Sequence, residues 1–429
     1  MRLFFGWLAT IVTSALFAQD SVYTQQYLSK STRFAWTTLG VDFLSLGGGT
    51  NTRVDQGNLV TGSFGRTTYP RLTIGGIHFW GHADFYVTFP LGSLALENQR
   101  EPLTVAYQQG IETGARVYPW KLQPGKLRPF VGASRRLLSY RQSGNDANDG
   151  VAPYYQRFIT PVQLGVTYAS PRYLLSLSAY YQRKQEARYF VSPMQTGGVT
   201  FDPLSFNVSF LWYWDTDRAY RTPAATRNLN ALYHVLQKEN LLSAWYWGVG
   251  PSSALQISRS PYFEKNFPFL ADDFTGGFAP DITFGRFFNK AELHVGVSYR
   301  TYADRVRGFD ADIRMRRHSF MIEAFKNLFD WLGFVPYAGI TGSLENLRTE
   351  VNGELFTETK PAVGFIFGWD IRVTKTGTNV LRTNLRYVPR LHAQVQGEHV
   401  MYDHLEFNFI QWVQYIGRKK AYRKYSANE

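Results

Sequence analysis

Two runs decide the fold: Tyr173-Leu174-Leu175-Ser176-Leu177-Ser178-Ala179-Tyr180-Tyr181 and, after a polar break, Phe206-Asn207-Val208-Ser209-Phe210-Leu211-Trp212-Tyr213-Trp214-Asp215. In the first, Tyr173, Leu175, Leu177, Ala179 and Tyr181 share one face, and Ser176, Ser178, Tyr180 and Gln182 the other. In the second, Phe206, Val208, Phe210, Trp212 and Trp214 oppose Asn207, Ser209, Tyr213 and Asp215, with Leu211 the exception. Side chains alternate across a strand, so each run is a β-strand with one apolar face. The apolar faces begin or end in aromatics, as strands do when one side meets lipid and Trp and Tyr sit at headgroup level. A half-buried strand of a soluble sandwich has the same alternation. The rest of the chain separates the two.

Met1 to Ala18 has the form of a secretory signal: Arg2, a mostly apolar Leu3–Leu16 segment, and a cut at Ala18-Gln19. The apolar run is too short and wrongly flanked to span a membrane as a helix, and no later stretch approaches ~18 consecutive apolar residues. The mature chain is therefore expected to leave the cytoplasm by Sec-type export. It has no cysteine, so neither a disulfide framework nor a lipid-bearing cysteine is available. Aromatics make up 17% of residues, yet mean hydropathy is −0.26. A barrel in a membrane has this balance, because half of each strand faces lipid and half a polar interior. The net charge of +13 is scattered rather than clustered. It suits solvated loops and a tail, or attraction to outer-membrane lipids and lipopolysaccharide. Nucleic acid is not an expected partner in this compartment.

Strand patterns recur along the chain. After a polar lead-in they cover Phe34–Leu46, Thr67–Phe79, Gly81–Phe89, Leu103–Tyr118, Leu127–Tyr140 and Tyr154–Tyr168, followed by the two opening runs. Residues 217–243 break the series, and Leu229, Leu232, Tyr233 and Leu236 at helical spacing predict a short amphipathic helix in a linker. Strands resume at Ala244–Ile257, Phe278–Phe288, Ala291–Tyr302, Ala311–Phe329, Phe334–Leu347, Pro361–Val373, Asn379–Val388 and His404–Ile416. Short and long connections alternate, as tight periplasmic turns and long external loops do in outer-membrane barrels. Gly47–Arg66, Arg183–Pro203 and Thr349–Thr359 are among the expected long loops.

The second half follows the first. Asp84–Phe89 lies over Glu292–Val297, Pro129–Ser134 over Pro336–Thr341, and Phe206–Asp215 over Leu405–Gln414. Matched order and the repeated Pro-aromatic-x-Gly favour duplication of one unit of about eight strands, the smallest even number that closes a membrane barrel. The expected fold is all-β: a transmembrane antiparallel β-barrel protein of about 16 strands, as two tandem 8-stranded repeats. The alternative is one 16-stranded barrel. The expected divisions are a signal peptide 1–18, a first repeat 19–216, a linker 217–243, a second repeat 244–418 and a basic periplasmic tail 419–429. The long linker favours two barrels, as do the bulky residues assigned inward: Tyr180, Leu211, Tyr213, Ile410 and Trp412.

The run Gly114-Ala115-Arg116-Val117-Tyr118-Pro119, followed by Gly125-Lys126-Leu127-Arg128-Pro129-Phe130-Val131-Gly132, resembles the fourth-to-fifth strand region of small OmpA-like or OmpW-like outer-membrane barrels. The signal ending Leu16-Phe17-Ala18-Gln19 is similar to those common in Bacteroidetes. The resemblance implies an integral barrel in a Gram-negative outer membrane and no particular activity. The chain departs from the OmpA type by having no room for a peptidoglycan-binding domain, and from many barrels by ending in a basic tail rather than an aromatic residue.

Catalysis by a nucleophile needs Ser, His and an acid converging on one side of adjacent strands. His318 and Ser319 are neighbours and face opposite ways, while His82 and Asp84 share a face without an evident serine. No catalytic set is assigned, and a lipid- or peptide-hydrolysing enzyme is the least favoured function. Glu398, His399, Asp403 and His404 would suit a metal and suit a solvated loop equally. Asn145–Gly150 breaks the spacing of a calcium loop, and no metal or cofactor is assigned. Asp84, Glu112, Arg116, Glu292, Arg382 and Arg386 are assigned to the lumen. In a narrow barrel they are interior ion pairs serving a structural or scaffolding protein. In a wide, porin-like channel for small solutes they would set selectivity.

Overall fold

The computed structural model describes residues 36–55, 58–92, 96–97, 104–143, 153–214, 233–270, 278–330, 334–372 and 378–418. The signal segment, residues 217–232 of the linker, the Asn145–Gly150 loop and the tail from residue 419 lie outside these residues. Strands β1 to β8 are Trp36–Leu46, Thr67–His78, Ala83–Pro90, Thr104–Val117, Lys126–Ser143, Val162–Ala169, Tyr173–Tyr181 and Leu204–Trp214. Each pairs antiparallel with the next, and the short strand Tyr155–Ile159, separated from β6 by a break at Thr160-Pro161, also pairs with β5. β1 also pairs with β8, from Thr37↔Trp214 to Ser45↔Phe206, closing a ring of eight. Strands β9 to β16 are Ala244–Gln256, Phe278–Phe288, Leu293–Gly308, Ala311–Asn327, Phe334–Val351, Glu354–Arg372, Asn379–Tyr387 and His404–Tyr415. They form a second closed barrel in which β9 pairs with β16. The protein is thus two tandem eight-stranded barrels. A single 16-stranded barrel would pair β8 with β9, but β8 is paired on both edges with β1 and β7, and β9 with β10 and β16.

Alternation fixes the two faces. On β7, Leu175, Leu177 and Tyr181 are exposed, while Leu174, Ser176, Ser178 and Tyr180 are buried. On β8, Phe206, Val208 and Trp212 point out, and Asn207, Ser209 and Leu211 in. Val295 also faces outward and Phe85 is half-buried on the outer side; the side chain of Phe409 lies outside the described residues. A guanidinium in place of Leu177 would sit in the apolar belt. Leu177→Arg should therefore cost ~2–4 kcal/mol and lower the yield of folded barrel in vesicles. Ser178 faces a packed interior at 3% exposure. Ser178→Arg is therefore expected to impair folding as well, contrary to a roomy lumen, and the same folding assay reads both.

Several segments expected to be loops are strands. Gly49–Asp55 and Asn58–Phe64 form a hairpin, as do Gln185–Ser192 and Gln195–Phe201, and the two join through Val199↔Asn51 into a four-stranded sheet. This sheet covers the first barrel at the end away from the termini, here called the loop end. Val54, Phe64, Tyr189, Val191, Val199 and Phe201 pack there on Leu44, Tyr69, Leu138 and Tyr140 of the barrel. In the second barrel, β11 and β12 join through Phe309-Asp310, and β13 and β14 through Asn352-Gly353, replacing the expected loop at Thr349–Thr359. Asn352 and Gly353 have φ of 49° and 90°, the left-handed pair that a two-residue hairpin of matching twist requires. The loop end of this barrel is covered by the helix Pro261–Asn266 and the hairpin His392–Met401. Tyr262, Phe263, Val395 and Val400 pack there on Ile313, Met315 and Leu347.

One strand reverses its faces. One extra residue on β16 shifts its register against both neighbours, between Asn408 and Trp412 against β9 and between Asn408 and Gln411 against β15. A bulge of this kind moves every following side chain to the other face. His404, Glu406 and Asn408 point in, then Gln411, Val413 and Tyr415 do. Trp412 is consequently 43% exposed and Ile410 is half-buried on the outer side, correcting their inward assignment. At the end bearing the termini, residues 233–238 form a helical turn with Leu236 buried, where the linker helix was expected. Arg418 stacks on Tyr415 at 3.6 Å and donates to the carbonyl of Leu242 at 2.6 and 3.1 Å, tying the two ends of the second barrel together.

Candidate functional site: the charged lumens

Among the described residues, each lumen is filled by a network whose cations are all arginine. Arg71 on β2 grips Asp42 of β1 with two bonds, 2.5 and 2.7 Å, and reaches Glu112 of β4 at 2.7 Å. Tyr86 of β3 donates to the other oxygen of Glu112 at 3.1 Å and accepts from Gln163 of β6 at 2.5 Å. Gln163 accepts in turn from Arg116 at 3.2 Å, and Arg116 pairs with Asp84 at 3.2 Å. The Arg116 guanidinium lies 4.4 Å from the centre of the Tyr86 ring. One connected set thus ties together β1, β2, β3, β4 and β6. With Arg136, the buried charges of this barrel are three arginines and three carboxylates among the described residues.

In the second barrel Arg386 of β15 pairs with Asp281 at 2.8 Å and Glu323 at 2.7 Å. Arg300 pairs with Glu406 and, at 3.4 Å, with Glu323. Arg317 bridges Glu406 at 2.9 Å and Glu345 at 2.8 Å. Nearer the terminal end, Arg382 holds Asp370 at 2.7 and 2.9 Å inside a box of Tyr246, Phe325 and Tyr337 rings, and His294 stacks on Phe325. Among the described residues five carboxylates, Asp281, Glu323, Glu345, Asp370 and Glu406, face four arginines between the two ends of the lumen, with Asp403 buried at the loop end and Arg418 at the terminal end. The choice of arginine has a physical cause: its planar fork bonds two carboxylates at once and is more weakly hydrated than an ammonium. A buried charge left unpaired would be costly, and bridging arginines leave few.

Of the residues assigned to the lumen, Asp84, Glu112, Arg116, Arg382 and Arg386 lie there at 2% exposure or less. Glu292 does not. It occupies a left-handed turn position (φ 50°) beside the three-residue turn Asn289–Ala291, at the terminal rim, where it meets Asn327 at 2.8 Å and Arg372 at 3.4 Å. The turn consumes the residues that a continuing strand would have used, so the alternation that pointed Glu292 inward does not apply. Asp42, Arg71, Arg136, Asp281, Arg300, Arg317, Glu323, Glu345, Asp370 and Glu406 were missed. Each is a charged residue at an inward position of a predicted strand, which is the signal that would have found them.

The residues weighed for catalysis or metal binding scatter. His318 faces outward and meets the Tyr299 hydroxyl at 2.9 Å, while Ser319 faces inward and donates to Glu345 at 2.9 Å. His82 lies at the terminal turn, 3.0 Å from the carbonyl of Tyr118. Glu398 pairs with Lys265 at 2.8 Å, Asp403 accepts from Ser258 at 2.5 Å, His399 lies against His392, and His404 is buried near Tyr302. No group of three metal-ligating side chains comes together among the described residues.

Together, these features define the class: a pair of narrow transmembrane-type β-barrels, apolar outside, salt-bridged inside and covered by packed segments at their loop ends. No family model matches the sequence, and no curated protein does. Among solved structures the chain is similar to Neisserial surface protein A, at 18% identity over 40% of this chain and 97% of that one, with a TM-score of 0.29. It is similar to Ail, the attachment invasion locus protein of Yersinia pestis, at 10% identity over 40% and 96%, TM-score 0.26. A third likeness is to an outer membrane channel from Pseudomonas putida F1, at 9% identity over 88% and 95%, TM-score 0.21.

Proposed function

We propose that this chain is a non-catalytic, integral outer-membrane protein, exported by a Sec-type signal, whose two closed barrels anchor two external caps in a structural or partner-scaffolding role. The observation that carries this is the filling of both lumens. The charged residues that would line a pore are instead bonded to each other and shielded from water, and the loop end of each barrel is covered by an apolar cluster. On this reading the loop ends face outward and the termini face the periplasm. Outer-membrane lipids are the first partners, and other outer-membrane or periplasmic proteins meet the caps or the basic tail. Duplication of one small-barrel unit of the OmpA or OmpW kind accounts for two rings of the same strand number and order. The matching three-residue turns Phe79–Gly81 and Asn289–Ala291, each entering the third strand of its ring, support it.

The test combines closure with conductance. Val41 and Phe210 are directly paired, and a disulfide needs Cα atoms within about 7 Å. A Val41→Cys/Phe210→Cys variant should cross-link efficiently, a Phe210→Cys/Val249→Cys variant should not, and planar bilayers should show no stable conductance. Cross-linking of the second pair together with an open channel would establish the porin-like alternative instead.

A further inference from the structure

Strands β11 to β14 are 16 to 19 residues long, well beyond the roughly 9–11 a tilted strand needs to cross a bilayer. Their register gives the outer face as a ladder of rows. One row is Tyr299, Phe320, Leu344 and Pro361, with Phe320 60% and Leu344 52% exposed. The next towards the loop end is Thr301, His318, Asn346 and Thr359, and the next Ala303, Arg316, Arg348 and Thr357. Arg316 and Arg348 are exposed and directly opposite one another. Like charges in that position repel, and no carboxylate shares their row. The acids further out are taken: Asp312 by Arg305, Arg307 and Arg314, and Glu350 by Arg314. Neither Arg316 nor Arg348 forms an ion pair among the described residues. Arg348 donates to Asn346 at 3.0 Å.

We propose that Arg316 and Arg348 bind a phosphate of an outer-leaflet glycolipid of the lipid A kind. This deepens the membrane reading above and rests on it. Two unpaired guanidiniums match one phosphate monoester in charge, about −1.5 to −2, and their forks suit its oxygens bidentately. The hydroxyls of Thr301, Thr357 and Thr359 stand beside them. A free polyanion would need nothing more. A lipid is favoured because, one polar row further down, Phe320, Leu344 and Ile322 form a wall for acyl chains on the same strands that carry the arginines.

The experiment uses the full chain in phosphatidylcholine nanodiscs, with purified lipid A, phosphatase-treated lipid A and inositol hexaphosphate as probes. Wild type should bind lipid A about tenfold or more tightly than its dephosphorylated form, and Arg316→Gln/Arg348→Gln should lose about tenfold, the equivalent of one or two charge-assisted bonds. Arg305→Gln/Arg307→Gln removes the same charge from arginines already held by Asp312 and should change binding far less. Equal losses in the two double variants would reduce the effect to bulk charge and overturn the proposal. So would inositol hexaphosphate binding as tightly as lipid A. Heat-modifiable migration in each variant shows that it is folded, and a wild-type chain that never inserts would refute the membrane reading itself rather than the site.

Discussion

Arg71→Met should destabilise the first barrel by about 3–5 kcal/mol, the cost of leaving a buried charge without its partner. The upper end is expected, because this one guanidinium serves two carboxylates, Asp42 and Glu112, both fully buried. Methionine fills similar space, so the loss is electrostatic rather than a cavity. The control follows from the same physics. Arg71→Met/Asp42→Asn removes one cation with one acid, leaves Arg116 and Arg136 against Asp84 and Glu112, and should recover part of the lost stability, since neutral replacement of a buried ion pair is often neutral. Denaturant titration in lipid vesicles, followed by the shift from the fast-migrating folded form, measures both. A single variant as stable as wild type would mean that water reaches the lumen and the network is not sealed.

The strands were legible because alternation is a local property. A residue needs only its neighbours two places away to declare its face, and β7, β8 and β10 appear with nearly the expected bounds. Ring closure followed from counting strands and from a linker too long to be a turn. What was not legible depends on distant parts of the chain or on single extra residues. Gly49–Asp55 has no apolar face of its own, and becomes a strand only because Asn58–Phe64 and Gln195–Phe201 lie beside it. The bulge near Ile410 has no compositional mark, yet it turns Trp412 outward and Gln411 inward. Asn352-Gly353 is legible, because an Asn-Gly pair between alternating runs is a strong hairpin signal, and it extends β13 and β14 into the span expected to be a loop. Among the charged positions, Asp84, Glu112, Arg116, Arg382 and Arg386 point inward as alternation along their strands predicts. Glu292 failed because a short turn begins where the alternation was extrapolated.

The second barrel differs from the first in one respect with a large consequence: between its buried ends, where Asp403 and Arg418 sit, its lumen holds five carboxylates against four arginines among the described residues. Arg386 bonds Asp281, Glu323 and Asn384, so Arg386→Met would leave five acids with three cations. Glu406→Gln also breaks two ion pairs, those with Arg300 and Arg317, but it leaves four acids with four cations. Arg317 keeps Glu345 at 2.8 Å and Arg300 keeps Glu323 at 3.4 Å. Counting broken contacts predicts equal losses. Counting uncompensated buried charge predicts that Arg386→Met costs about 3–5 kcal/mol and Glu406→Gln about 1–3 kcal/mol, the range for lost charged hydrogen bonds. The second ordering is expected. Pulse proteolysis across a denaturant series separates the barrels by their fragments: both variants should lower the midpoint of the 244–418 fragment and leave the first barrel unmoved. Equal shifts, or Glu406→Gln as the more damaging, would show that local geometry rather than the excess negative charge governs the stability of this lumen.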